Sequence, residues 1–186
     1  MKTVYEKSDV VPLIGEVFRE FGYEGTSMSR ITERTRLGKG SLYHFFPGGK
    51  EEMGRAVLAH VDAWFVEHIF EPLERGEPRH AIARMWQGVE EYFQSGNRIC
   101  LIGAFALDDT RDRFGAVIRG YFVRWIDALG KALSRAGVDE VRAACLAEKV
   151  VGGIQGALVL SRALNSPEAF TRALARMVAE VDSAVN

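Results

Sequence analysis

Apolar residues recur at helical spacing along almost the whole chain, and no run alternates like a strand between Asn-Gly or Asp-Gly turns. The pattern predicts an all-α fold. Val10, Ile14, Val17, Phe18 and Phe21 make one stripe of a first helix, with Asp9 as its N-cap and Gly22 as the glycine just past its end. Pro12 then falls at the third helical position, where a missing N–H costs nothing, and the helix is expected to begin late. Two short helices follow, one capped by Ser27 or Ser29 and running to about Thr35, the other spanning Gly40 to Phe46. Helices so short are marginal alone, so packing on each other and on the first helix must hold them.

From Lys50 the stripe lengthens through Met53, Val57, Val61, Trp64, Phe65 and Ile69, predicting a long helix broken near Glu71-Pro72 or by Arg75-Gly76. Later breaks at Ser95-Gly96-Asn97, around Asp108 to Asp112, at Ala136-Gly137 and at Asn165-Ser166-Pro167 leave helices near 79–94, 100–107, 112–135, 139–164 and 167–184. The natural boundary lies near residue 48, dividing a small-helix domain, 1–48, from a long-helix domain, 49–186.

Composition supports an ordered globular chain: 186 residues, 47% hydrophobic and 26% charged, with only five prolines. The formal net charge of −1 hides a divided molecule. Residues 1–50 carry eight Lys/Arg against six acids, a net of +2, and the remainder sixteen against nineteen, a net of −3. Arg30 to Lys50 holds five basic residues and one acid, Glu33, and phosphates respond to that local excess. Cys100 and Cys145, far apart, make no disulfide framework and suit a reducing compartment. With no apolar leader and no run near the ~20 apolar residues of a membrane span, a cytoplasmic protein is expected.

The informative chemistry lies between Thr26 and Phe46. Leu42 and Phe46, four residues apart, face the core with Ile31, leaving Ser41, Tyr43 and His44 pointing elsewhere beside Lys39. A helix start with free N–H groups, a small Gly40-Ser41 that permits close approach and a cation suit the major groove and its flanking phosphates. Lys50 adds to this, because a cation in a helix's first turn opposes the macrodipole and needs another reason to be there. A DNA phosphate is one such reason, and plain solvation is another.

Gly22-Tyr23, Gly25-Thr26-Ser27, Ile31 and the run Lys39 to Pro47, followed by Lys50-Glu51-Glu52, resemble the TetR family of repressors over residues 10 to about 58. The resemblance implies an all-α dimer with an N-terminal three-helix helix-turn-helix domain and a larger helical ligand-binding and dimerisation domain. It implies that Gly40 to Phe46 is the recognition helix. Thr26 or Ser27, with Ser29 and Arg30, would meet the DNA backbone. Lys39, Gly40, Ser41, Tyr43 and His44 would meet bases and phosphates, and Lys50 phosphate. The family turn usually reads Ala-Gly-Val-Ser, whereas here it is Thr35-Arg36-Leu37-Gly38. Arg36 then occupies a position where glycine accepts positive φ, at roughly 1 kcal/mol relative to glycine. Arg36 reads either as an extra phosphate contact or as an ordinary turn residue, and Gly38 is a weaker N-cap than serine.

In the long-helix region, Trp64, Trp86, Phe93, Phe105, Phe122 and Trp125 suit a pocket for a small apolar or aromatic effector, with Arg84 or Gln155 for orientation. The segment Arg98 to Leu107 resembles a TetR subgroup with a Gly-Cys-Pro/Leu-Ile/Val-Gly signature, some of whose members answer to quinones, electrophiles or oxidants; Ile99 here replaces the glycine. By that resemblance Cys100, beside Arg98 at a helix start, is a candidate redox sensor, an alternative to reversible ligand binding. Val151, Ile154, Leu158 and Leu164 with Gly152, Gly153, Gly156 and Ala157 read as a close-packed helix pair, which the family uses in an isologous dimer interface. The helix starting at Lys50 would link pocket to reader.

An enzyme is the competing class, and its parts are missing. Glu77-Pro-Arg-His80 has the Glu-x-x-His spacing of di-iron bundles but occurs once and contains proline. Gly48-Gly49-Lys50 is no P-loop, since the leading glycine position is His44 and Glu51 follows the lysine. No cofactor or metal is expected. The expected partners are a double-stranded, pseudo-palindromic operator, a small-molecule effector and a second copy of the chain.

Overall fold

A computed structural model describes residues 6–109 and 111–186, without the side chain of Arg111. The chain folds into two compact units. One comprises residues up to Ala63 together with Leu101–Ile118, the other Trp64–Cys100 together with Arg119–Asn186.

The first unit opens with α1 (Lys7–Gly25), which buries Val10, Ile14, Val17 and Phe18. It starts earlier than the sequence suggested. Glu6 is the N-cap, and Asp9 is the third helical residue, its Oδ2 accepting from the Glu6 N–H at 2.9 Å. Pro12 therefore lies inside the helix, and the missing bond to the carbonyl one turn earlier is tolerated close to the N-terminus. Gly22, at φ 70° and ψ 172°, ends the regular helix where expected, and a short turn follows it.

In α2 (Met28–Thr35) the cap is Ser27, whose Oγ accepts from the Arg30 N–H at 3.3 Å. Arg36 closes this helix in the left-handed region, φ 59° and ψ 19°, so the strained turn read from sequence is present. Gly38 caps α3 (Lys39–Phe45) without a side-chain bond. The next helix, α4 (Gly49–Phe65), begins at a glycine with φ 64°, and its first turn is closed by the Gly48 N–H donating to Glu52 Oε2 at 2.8 Å.

This unit also takes in α7 (Leu101–Ala106) and the first residues of α8 (Arg111–Arg135). Phe105 and Phe114 from these segments join Phe18 and Tyr23 in a cluster with ring centroids 5.3–5.7 Å apart. Gly54 makes room for it, since a Cβ there would stand 2.9 Å from Phe114 and 3.1 Å from Tyr23.

The second unit takes the last two residues of α4. The helix then widens into a π turn, Val66–Phe70, just ahead of Pro72 in α5 (Glu71–Arg75), and Gly76 ends it. Of the two breaks considered, Pro72 marks the deformation and Gly76 the stop. Glu77 caps α6 (Pro78–Tyr92) by accepting from the N–H groups of Arg79 and His80 at 3.1 and 2.7 Å. The Glu-x-x-His spacing is thus a helix cap. A 3-10 turn, Gln94–Gly96, leads toward Cys100. The unit is completed by the rest of α8, by α9 (Glu140–Ala163), capped by Asp139, and by α10 (Pro167–Val185).

Its core is aromatic. Phe65 stands 4.8–5.9 Å from Tyr92, Tyr121, Trp125 and Phe70, and Phe93 reaches Phe170 at 6.3 Å. Val151, Ile154, Ala157 and Leu158 are buried within the chain, and Gly153 admits Met177, whose sulfur would lie 2.6 Å from an added Cβ. By length and mean hydropathy, 1.5, α9 comes closer to a membrane span than the sequence reading allowed. Burial of one face in this core accounts for its apolarity.

Candidate nucleic-acid interface

The α3 helix is sharply two-sided. Leu42 is fully buried, as are Phe46 just past its end and Ile31 on α2. Lys39, Gly40, Ser41, Tyr43 and His44 are exposed, with Tyr43 49% accessible. Nothing lies within 4 Å of a Cβ placed at Gly40, so the backbone there can be approached closely. The Tyr43 ring rests beside Gly49, 3.7 Å from where a Cβ would stand.

Ser27, Ser29, Arg30 and Arg36 are exposed, as a DNA-facing role needs. Thr26 departs from the set. It is buried and its hydroxyl donates to the Gly22 carbonyl at 2.6 Å, so of Thr26 and Ser27 only the serine reaches the surface. Arg30 is folded back, its guanidinium bonded to the Gly25 carbonyl and lying 4.0 Å from the Phe21 ring centroid.

Lys50 is not merely solvated in the free chain. Its Nζ donates to the Tyr23 carbonyl near the end of α1 at 3.1 Å, pairs with Glu24 at 3.5 Å and sits 4.4 Å from the Tyr23 ring centroid. A helix C-terminal end favours a cation, and that explains the placement without DNA. Lys7 is likewise occupied, with Glu52 at 2.8 Å, and its ammonium and the Gly48 N–H hold the Glu52 carboxyl below the usual carboxylate range. Arg34, exposed at the end of α2, was not singled out from sequence. The signal available was its place among Arg30, Arg34, Arg36 and Lys39.

The candidate effector residues divide. In the second unit, Trp64 is half-buried and lies 4.6 Å from Tyr92, Trp125 and Phe93 are fully buried against Phe65, and Phe122 and Gln155 are half-buried. Trp86 lines a separate cavity of about 310 Å³ with Ile82, Ala83, Val178 and Asp182. Phe105 belongs with none of them; it packs on Phe18 and Tyr23 in the first unit, because its short helix closes over α1. Among the described residues, Trp86 Nε1, Trp125 Nε1 and Gln155 Nε2 are buried without a hydrogen-bond partner. Cys100 is buried, 6% exposed, and Cys145 is the exposed thiol.

A helix pair ending in a two-sided seven-residue helix, joined by a strained turn and braced by α1, has the build of a helix-turn-helix reader. Residues 15–57 match the family model for bacterial regulatory proteins of the TetR family, and residues 78–176 match the model for the LmrA/YxaF-like regulator C-terminal domain. The chain belongs to the TetR family of transcriptional regulators, DNA-binding proteins rather than enzymes. Within that family its C-terminal half is of the LmrA/YxaF-like kind. It is 26% identical over 161 residues to the HTH-type regulator YxaF of Bacillus subtilis, covering 83% of this chain and 84% of that one. Among solved structures, a TetR regulator from Legionella pneumophila superposes with a TM-score of 0.82 at 19% identity, covering 97% of this chain and 99% of that one. A cysteine mutant of CifR, solved with 26-bp double-strand operator DNA, superposes at 0.70 with 22% identity, over 100% and 98% of the two chains.

Proposed function

We propose that the protein is a homodimeric, ligand-responsive repressor that acts in the cytoplasm, binds a pseudo-palindromic operator through α3 and is released by a small apolar or aromatic effector. The observation carrying the DNA role is the division of α3 and its flank: Leu42 and Phe46 spend their apolar surface inside, and Lys39, Gly40, Ser41, Tyr43 and His44 are left outside. Ser27, Ser29, Arg30, Arg36 and Lys50 flank them as phosphate contacts. Lys50 and Arg30 would exchange internal partners for DNA oxygens. CifR, of the same fold, was solved with operator DNA, in keeping with this reading.

Two-fold pairing supports the operator symmetry. On α9, Val141, Val159 and Leu160 are 73%, 58% and 55% exposed, Leu164 just beyond is 64% exposed, and Gly152 and Gly156 have open space above them. Such a face of apolar and small residues fits a second copy, and two copies would space the recognition helices about 34–36 Å apart. Effector binding is supported by the unspent donors of Trp125, amid aromatics, and of Gln155 on α9, which suit a ring bearing acceptor groups. An effector releases DNA only to the extent that it prefers the conformation with the wrong helix spacing. The redox alternative has less support, because the Cys100 thiol is buried.

Selection of bound sequences from a random DNA pool tests the reading. A palindrome with half-sites one DNA turn apart is expected, and Tyr43→Ala or Lys39→Ala should weaken its binding with the fold intact. Recovery of no preferred sequence overturns the proposal. Replacing Cys100 with Ser should leave effector release unchanged; loss of the response would favour the redox alternative.

A further inference from the structure

Resting on the DNA-binding reading, we infer that the backbone anchor of this reader is a cationic strap of Arg34, Arg36 and Lys39, which binds DNA phosphates across the turn between α2 and α3. The inference comes from how the first unit disposes of its positive charges. Lys7 pairs with Glu52, Arg19 with Glu16 at 2.7 Å and Arg55 with Glu51 at 2.8 Å. Lys50 holds the Tyr23 carbonyl, Arg30 the Gly25 carbonyl, and Arg113 donates to the Tyr23 hydroxyl at 3.3 Å. Arg34, Arg36 and Lys39 alone among that unit's described Lys and Arg side chains have no hydrogen-bond or ion-pair partner among the described residues, and all three are exposed.

They are crowded into six residues of chain. Like charges so placed repel one another, and the one nearby acid, Glu33, makes no pair with them. The backbone adds a second, independent mark. Arg36 is held at φ 59°, a conformation glycine adopts freely and an L side chain resists. The strained residue carries a guanidinium, exposed at the junction that leads into the recognition helix. An unpartnered guanidinium beside a reading helix suits bidentate binding of phosphate, and the Lys39 ammonium suits a point contact. Arg34 thereby joins the interface, and the turn becomes a contact as well as a connector.

Salt dependence reads this directly, because each phosphate contact contributes about −0.9 to the slope of log K against log salt. With the operator from the selection above, Arg34→Gln and Arg36→Gln should each flatten the slope by about 0.9 per copy, or about 1.8 for a two-chain complex. Arg36→Lys should restore most of the slope, whereas Arg36→Gly should raise the melting temperature while still flattening it, which separates charge from folding. Arg55→Gln, which loses a charge already paired with Glu51, should leave the slope unchanged. Slopes unaltered in Arg34→Gln and Arg36→Gln, with the wild type binding its operator, overturn the strap. A wild type that binds no operator overturns the function proposed above instead.

Discussion

Both units are built on aromatic clusters, and they treat the polar atoms of those clusters in opposite ways. In the DNA-reading unit, Tyr23 is almost wholly buried among Phe18, Phe105 and Phe114, yet its hydroxyl meets Arg113 and its carbonyl meets Lys50. Burial raises the Tyr23 pKa, so the ring stays a neutral fastener between charged groups of α4 and α8. In the second unit the cluster around Phe65, Tyr121 and Trp125 is larger, and its Trp125 Nε1 stays unspent, as do Trp86 Nε1 and Gln155 Nε2 of the same unit. Each such orphan costs on the order of 1–3 kcal/mol. Tyr23, at the centre of the first unit's cluster, has its polar atoms satisfied within the fold, whereas the second unit leaves indole and amide donors buried without a partner.

The strongest test of this contrast is Phe105→Ala. If Phe105 braces the reader, its loss should destabilise the protein by about 3–5 kcal/mol and abolish operator binding, read by thermal unfolding and gel shift. Effector binding that falls while the reader stays intact would return Phe105 to the pocket. Next comes Gly54→Ala. The added Cβ falls 2.9 Å from Phe114, so overpacking of about 1–3 kcal/mol is expected, with operator affinity falling alongside stability.

Smaller and opposite in sign is Gln155→Met in the second unit. Removing a buried, unpartnered donor should leave stability unchanged or raise it by up to about 1 kcal/mol in denaturant titration, while effector affinity drops. Clear destabilisation would mean the amide is already satisfied and the contrast false. The smallest effect is one of pH. The hydrogen bond from Arg124 holds the Glu74 carboxyl below its ordinary range, fastening α5 to α8. Its contribution is complete above the unfolded carboxylate pKa and is lost as pH falls through the lower folded value, so Glu74→Gln should remove part of the acid sensitivity of the second unit.

Much of the architecture was legible along the chain. Helix ends near Gly22, Thr35, Gly76, Ala136 and Pro167 follow from local backbone chemistry, since glycine, proline and capping side chains act within a turn of where they sit. The two faces of α3 were legible for the same reason: residues four apart share a side. Glu6 escaped notice because glutamate is an unusual N-cap, and the cap is completed by Asp9 reaching backward. The roles of Lys50, Thr26 and Phe105 were not legible, because each depends on partners brought near by folding.

The sequence by itself determined the helical class, the order of the helices and the two faces of α3, all of which rest on contacts between residues a few positions apart, and the likeness of its turn to the family's pointed to the positive φ at Arg36. Only the tertiary structure decided which cations of the first unit have internal partners, that α7 and the start of α8 pack in the unit that holds α1 to α3, and which buried donors stay unspent. Those outcomes depend on pairs such as Tyr23 with Arg113 and Lys7 with Glu52, separated by 90 and 45 residues, whose meeting no local periodicity encodes.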